Sequence, residues 1–373
     1  MKFFKIPVLI LFLFCMPASA IEEVVLEKES LNLNRLSDIY YGNVEDNRDI
    51  NPVFKLFSEK GIEFKNSKIN SIKADFFYSG QLNYLYSPHT QQYFKHDFEN
   101  VEPTVIINFN DNKSKAVFNI NFTRHIPGHS NWFTQRISQI YVSHKITENQ
   151  TITFGQAKRL PSTIDGSLGL LELDTVMRSQ IGRTLGNVRS MGIRNTGKYK
   201  YLDYDIGVYD STRYMKHFGN GVDFTGHISL KPLAGFESEV LNNVVLGAGY
   251  NIGQNNISYN MYSLFAGYNY DKVHFKIEYA NADGYNALVE SQNKADGFYS
   301  ELSYDIHPKI TLVTRYDFFN YDKNYTGNRI KEYTAGITYK PFKNMKLMLN
   351  YVRRDCDNTS DSNMILFATR FFI

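Results

Sequence analysis

Along most of this chain, apolar and polar residues alternate with a period of two, the period of a β-strand whose two faces meet different surroundings. Val273, Phe275, Ile277 and Tyr279 fall on one side of a segment that carries His274, Lys276 and Glu278 on the other. Ile310, Leu312, Thr314, Tyr316 and Phe318 alternate with Thr311, Val313, Arg315 and Asp317. Met345, Leu347, Leu349 and Tyr351 alternate with Lys346, Met348 and Asn350, and Leu202, Tyr204, Ile206 and Val208 with Asp203, Asp205 and Gly207. About sixteen such segments are expected, the first over 70–85 and the last over 362–373. The pattern predicts an all-β fold. It fits a soluble sandwich, with its charged face in water, and equally a transmembrane barrel, with its apolar face in lipid.

The connections separate the two. Numbered from the first strand, the even-to-odd ones are short, as at Asp111-Asn112-Lys113, Thr147-Glu148-Asn149, Asp271, His307-Pro308 and Pro341-Phe342-Lys343; only 232–241 is longer. The odd-to-even ones run longer, at about 86–99, 125–133, 157–187, 210–221, 252–256, 282–294, 320–330 and 354–361. Tight periplasmic turns alternating with longer external loops are what an antiparallel barrel inserted from one side shows. The expected fold is therefore a transmembrane antiparallel β-barrel over 70–373, with a long third external loop.

The ends add to this reading. Lys2 and Lys5, the apolar run Ile6–Phe14 and Ala18-Ser19-Ala20 have the order of a cleavable signal peptide over 1–20, and export to the bacterial outer membrane is the expectation. Residues 21–69 are rich in Glu, Asn, Asp and Lys and read as a periplasmic extension, with a lumenal helix or a loose tail as alternatives. In the last strand Ile365, Phe367, Thr369, Phe371 and Ile373 share a face. That row resembles the C-terminal signature by which the barrel-assembly machinery recognises its substrates, although Ile373 stands where the signature usually has Phe.

Composition agrees. Mean hydropathy is −0.37, yet 28 Phe, 27 Tyr and one Trp make 15% of the chain aromatic. A lipid-facing wall with aromatic girdles uses such residues while the lumen stays polar. Losing Lys2 and Lys5 with the leader lowers the formal charge from +3 to +1, which gives no argument for nucleic acid. Cys356 would be the only cysteine after processing, so no disulfide framework is expected.

The third connection, 157–187, is too long for a structureless loop. It is also too apolar for a free one, with Ile164, Leu168, Leu170, Leu171, Leu173, Val176 and Met177. In general porins of sixteen strands the third loop folds into the lumen and forms the constriction; the alternative is a loop lying across the mouth or against a neighbouring subunit. Between Ala157 and Asn195 stand Lys158, Arg159, Arg178, Arg183, Arg189 and Arg194, against Asp165, Glu172 and Asp174. A net positive neck of low dielectric concentrates anions, and an arginine fork suits phosphate or carboxylate. Lys158, Arg159, Arg178, Arg183 and Arg194 are accordingly the candidate constriction and anion-binding residues. Periodicity puts Arg189 on the face of Met191 and Ile193, opposite Arg194. Lys73, Lys145, Lys276, Arg315 and Lys346 are candidate pore-lining residues, mixed along the polar face with Asp75, Asp203, Asp205, Glu278, Glu301, Asp305, Asp317 and Arg370.

Residues 150–233 resemble the phosphate-selective porin O and P family. The matching pieces are Thr153-Phe-Gly-Gln-Ala-Lys158 with Pro161, Arg183-Thr-Leu-Gly186, Gly192-Ile-Arg194, Tyr204-Asp-Ile-Gly-Val-Tyr209 and Gly226-His-Ile-Ser-Leu-Lys-Pro232. They cover roughly a quarter of the mature chain, and Lys158-Arg159-Leu160-Pro161 is looser than the family's lysine-proline pattern. The resemblance implies a sixteen-stranded passive channel for small hydrophilic solutes, a homotrimer, and a preference for anions, phosphate among them. Membrane lipid, lipopolysaccharide and small anionic or polar solutes are the expected partners.

Other classes fit the sequence less well. Gly128-His129-Ser130-Asn131 invites comparison with outer-membrane phospholipases, but three consecutive residues cannot readily present nucleophile, base and orienting group to one another. No enzyme activity, metal or cofactor is expected, since the nine histidines are scattered, no cysteine pair remains after processing and no phosphate-cradling glycine loop occurs. An adhesive or structural barrel is the remaining alternative.

Overall fold

The computed structural model describes residues 62–63 and 68–373, apart from 88–89, 127–129, 158–161, 216–218, 220, 237, 239, 256, 287–288 and 326. The leader expected over 1–20 and most of the extension over 21–69 lie outside the described residues.

Sixteen long strands follow one another. They are β1 (Ile69–Ser87), β2 (Thr90–Phe109), β3 (Ser114–Ile120), β4 (Ile137–Thr147), β5 (Gln150–Gln156), β6 (Met191–Lys198), β7 (Leu202–Asp210) and β8 (Val222–Leu230). Then come β9 (Val244–Gln254), β10 (Ser258–Tyr270), β11 (Val273–Asn286), β12 (Val289–His307), β13 (Ile310–Asn320), β14 (Arg329–Tyr339), β15 (Met345–Cys356) and β16 (Ser362–Phe372). Each pairs antiparallel with its sequence neighbours, and β16 returns to β1 from Asn363 opposite Tyr86 to Phe372 opposite Phe77. The sheet is closed. Closure leaves no edge with unpaired backbone groups, which hydrocarbon would not tolerate. A further two-residue strand, Ile62–Glu63, pairs with β1 opposite Ile72 and Ser71.

Tight turns fall where the chain offers Asn and Asp, whose short polar side chains tolerate the left-handed region. Asn110, Asp111 and Asn112 have φ of 56°, 52° and 61° between β2 and β3, and Asp271 has 51° between β10 and β11.

The two faces of the wall are inverted relative to a water-soluble protein. Leu264 is 54% exposed, Leu302 46% and Leu349 46%, whereas Glu278, Arg315 and Arg370, on the opposite face, are 0%, 3% and 0% exposed. An outer surface of Leu, Ile, Val, Phe and Tyr around a charged interior requires lipid outside, and no sandwich has this arrangement. No helix among the described residues is long and apolar enough to cross a membrane, so the crossing elements are the strands.

Two expected loops are strand instead. β1 and β2 run on through most of 86–99, and β11 and β12 through most of 282–294. Stretches such as Gln91-Gln92 and Lys95-His96-Asp97 are polar at successive positions, so a hairpin that continues there loses the alternation that lipid imposes on one face. At the same end β3 stops at Ile120, short of the expected 124.

Candidate pore and its lining

The connection between β5 and β6 carries two short helices, α1 (Ile164–Ser167) and α2 (Gln180–Thr184). Thr163 and Ser179 cap them, their hydroxyls accepting from the amides of Gly166 and Gly182, as capping preferences lead one to expect. Asp165 Oδ2 joins the two turns, accepting from Ser179 N at 2.6 Å and Ser179 Oγ at 2.9 Å. Gly166 and Gly186 approach so closely that a Cβ on Gly166 would stand 2.6 Å from the Gly186 Cα. A Cβ on Gly186 would likewise stand 2.7 Å from the Gly166 Cα, so both positions require glycine.

This segment lies on the inner face of the barrel, held there by seven consecutive strands. Ser263 on β10 donates to Ser162 O at 2.8 Å, and Glu278 on β11 accepts from Ile164 N at 2.8 Å. Ser303 on β12 donates to Asp174 Oδ2 at 3.0 Å, and Asp317 on β13 accepts from Gln180 N at 3.1 Å. Arg315, also on β13, donates to Met177 O at 2.9 Å and Arg178 O at 3.2 Å. Thr338 on β14 donates to Asp174 O at 3.1 Å, and Asn350 on β15 accepts from Val176 N at 2.6 Å. Arg370 on β16 donates to Leu170 O at 2.8 Å and Val176 O at 2.6 Å. Backbone groups of an irregular segment must find partners somewhere. Here wall side chains supply them.

Apolar sockets complete the attachment. Ile164, Leu168 and Leu173 pack with Val245 and Phe265. Ile181, Leu185 and Val188 join Met261, Ala280, Ala282, Tyr299 and Phe319. Val176 sits among Met348, Val352, Met364, Leu366 and Ala368. Small and apolar residues on the inward face of β15 and β16 look like lapses in the alternation. They are the seats of the segment, and that irregularity was the available sequence signal.

The candidate residues divide by partner. Lys158 and Arg159 lie outside the described residues. Arg178 is buried and donates to the carbonyls of Asp165 and Leu168, so it holds the segment's own turn. Arg183 pairs with Glu332 on β14 at 2.5 Å. Arg194 grips Asp205 on the neighbouring β7, its Nε 2.6 Å from Oδ1 and its Nη2 on Oδ2. Arg189 precedes β6, is buried and donates to Ala157 O at 2.7 Å. Lys276 pairs with Glu301 at 2.7 Å, and Arg315 with Asp317 at 2.7 Å and Glu301 at 3.4 Å. Lys346 Nζ lies 3.1 Å from Leu173 O and 3.8 Å from Asp174. Lys73 faces inward opposite Ile106, half-buried.

Lys145 has different surroundings. It lines a cavity of about 210 Å³ at the short-turn end of the barrel, with Lys113, Lys115, Lys198 and Arg194, against Glu148 as the only carboxylate of the lining. Asn108, Asn112, Ser143, Asn149, Thr151 and Thr153 supply uncharged polar groups there. A second cavity, of about 360 Å³, lies toward the long connections and is lined by Glu99, Asn100, Asn121, Arg124, His125 and Arg189 among others.

Within the segment, the Asp165 carboxyl is displaced from its ordinary range. Burial works to raise its pKa, but Arg178, Arg315 and Lys276 together outweigh burial and hold the carboxyl below its ordinary range.

Solved outer-membrane barrels share this fold. The outer membrane channel DcaP of Acinetobacter baumannii superposes with a TM-score of 0.57 at 13% identity, over 84% of this chain and 99% of that one. The anion-selective porin of Comamonas acidovorans gives 0.61 at 10% identity, over 81% and 99%. The trimer form of OmpT, an outer membrane protein of Vibrio cholerae, gives 0.53 at 10% identity, over 82% and 100%. The chain has the porin fold. No family model matches it, and no curated protein does. With its apolar outer wall, this barrel is an outer-membrane protein.

Proposed function

We propose that the protein is a passive diffusion channel for small hydrophilic solutes, with a preference for anions. The observation that carries this is the attachment of 162–187 to the inner face of β10–β16. The segment narrows the barrel from one side and leaves polar cavities along the opposite strands, β2–β6. A barrel of sixteen strands encloses more space than side chains alone fill. The fold shared with an anion-selective porin supports the same reading.

Anion preference rests on a different set of residues from the arginine-rich count around 157–195. Arg183 and Arg194 are paired with Glu332 and Asp205, and Arg178 is buried within the segment's own turn beside Asp165. The lysines of the short-turn cavity carry the preference instead. Phosphate is one solute among those such a field would favour.

The test is single-channel conductance of the folded protein in a planar bilayer, with the reversal potential under a KCl gradient. The expected result is a stable conductance that reverses on the chloride side. Silence from heat-modifiable, folded protein would overturn the channel reading. We further propose a homotrimer, by likeness to the trimer form named above, and recognition of the outward row Ile365, Phe367, Thr369 and Phe371 by the assembly machinery. The leader over 1–20 and a periplasmic extension over 21–69 belong to the same proposal, checked by the mass of the mature protein.

A further inference from the structure

We infer that one face of the outer wall, on β14 and β15, carries a site for a single phosphorylated glycolipid of the external leaflet, whose headgroup phosphate is held by Arg329 and Lys331. The site depends on the outer-membrane location of the barrel and not on conduction.

Register fixes the side of the wall on which these residues stand. Glu332 is fully buried and turned to the lumen, where it pairs with Arg354 at 2.6 Å. Its neighbours Lys331 and Tyr333 therefore point outward, as do Asp355 and Arg353 opposite them on β15. Arg329, two positions before Lys331, falls on the same face, and Arg329, Lys331 and Arg353 are all exposed. Alternate residues of a strand stand about 7 Å apart, close enough for two long side chains to converge on one phosphate.

Their height along the wall matches a headgroup. β14 begins at Arg329 and β15 ends at Cys356, so this stretch lies at the end of the long connections. Directly below it Tyr333 and Tyr351 are outward and exposed, and below them Ile337 and Leu349 continue the apolar wall. Outward aromatic residues mark the boundary between hydrocarbon and headgroups. A lipid whose chains lie along Ile337 and Leu349 thus sets its headgroup beside Arg329 and Lys331.

Charge selects the headgroup. The external rim from β11 to β15 holds Lys294, Lys323, Arg329, Lys331 and Arg353. Lys294 is matched by Asp283 at 3.0 Å, Lys323 by Asp296 at 4.0 Å and Arg353 by Asp355 at 2.8 Å. Arg329 and Lys331 have no carboxylate within 4.0 Å among the described residues. Asp357, whose amide donates to Arg329 O at 3.2 Å, brings a further carboxylate to the loop, but beyond that distance. An arginine fork donates two bonds to a phosphate, and a neighbouring ammonium adds a point charge. A zwitterionic phospholipid carries its own cation and gains little here. A glycolipid with phosphate monoesters on its sugars carries none, and fits the excess.

The experiment is native mass spectrometry of the full-length, heat-modifiable protein. It is titrated with lipid A bearing both phosphates, with lipid A stripped of phosphate, and with phosphatidylethanolamine. The natural protein is expected to retain one phosphorylated lipid A per chain in preference to the other two lipids. Arg329→Gln/Lys331→Gln should weaken that binding about tenfold or more, as loss of two cations at a membrane surface implies. Asp355→Asn frees Arg353 from its pair and should tighten it about threefold. Lys309→Gln, at an exposed turn of the periplasmic end, should leave it unchanged.

Equal retention of phosphorylated lipid A by the natural protein and the double variant would overturn the inference. So would equal retention of phosphorylated and stripped lipid A by the natural protein. A double variant altered in oligomeric state, with lipid retention unchanged, would make this face a contact between copies of the chain instead. Should the double variant fail to fold, Asp355→Asn decides, and binding no tighter than the natural protein's counts against the site. Silence in a planar bilayer strikes the channel reading and leaves the lipid site standing.

Discussion

At the scale of single residues, the interior of the wall is a set of charges fixed by neighbours. Arg194 and Asp205 pair diagonally across β6 and β7, and both are buried. Arg194→Gln leaves Asp205 without its strongest partner, and loss of one member of a buried pair costs about 3–5 kcal/mol. The expected outcome is a clear drop in the urea midpoint of the folded barrel, read by heat-modifiable migration. Asp165 gives the pH dependence. Its folded pKa lies below its unfolded one, so its stabilising effect is complete above about pH 4 and is lost as pH falls through the lower folded value. Hydrogen exchange of residues 162–187 should therefore stay slow from pH 7 to about 4, allowing for the intrinsic pH dependence of exchange, and Asp165→Asn should raise it at pH 7. Equal protection in the variant would remove Asp165 as the tie between α1 and α2.

At the scale of elements, the internal segment is the part that, in the proposed channel, would bound the passage. Leu168 is fully buried in its socket. Leu168→Ala removes apolar contacts worth about 2–5 kcal/mol, and the segment, rather than the barrel, bears the loss. Larger or noisier single-channel currents are expected, with the barrel's urea midpoint little changed. Arg370→Ala acts on the same element by freeing the carbonyls of Leu170 and Val176. Currents identical to the natural protein's in both variants would mean that the segment does not bound the passage. Much of this was legible in the chain. A long third connection rich in apolar residues announced a buried loop, whereas the helix starts at Thr163 and Ser179 came only with the structure. Its docking partners were not legible, because Glu278, Asn350 and Arg370 lie more than a hundred positions away and look like ordinary polar wall residues.

At the scale of the whole molecule, the inverted faces make a strong prediction about the outer wall. Leu349 points outward at 46% exposure beside inward Asn350. Leu349→Arg should cost about 2–4 kcal/mol if it meets the bilayer near its midplane, and membrane-assembled yield should fall. The equivalent change at inward Lys346, Lys346→Arg, keeps the sign of its charge and should assemble normally. Equal yields would argue that this stretch of wall does not face lipid, as where copies of the chain meet.

The sequence by itself determined the sixteen strands, the side of each that meets lipid and the connection that turns inward, because these depend on local periodicity and on composition over short spans. It could not determine where the extended hairpins β1–β2 and β11–β12 end, since beyond the bilayer both faces meet water and the alternation stops. Nor could it tell which basic residues act on a solute. Charge counting put Arg178, Arg183 and Arg194 at the constriction and Lys145 only among the pore-lining residues. Register alone distinguishes them, by setting Arg194 within reach of Asp205 and Arg183 within reach of Glu332 while leaving Lys113, Lys115 and Lys145 facing the cavity. An electrostatic field depends on distances between residues remote in the chain, and only the closed barrel sets those distances.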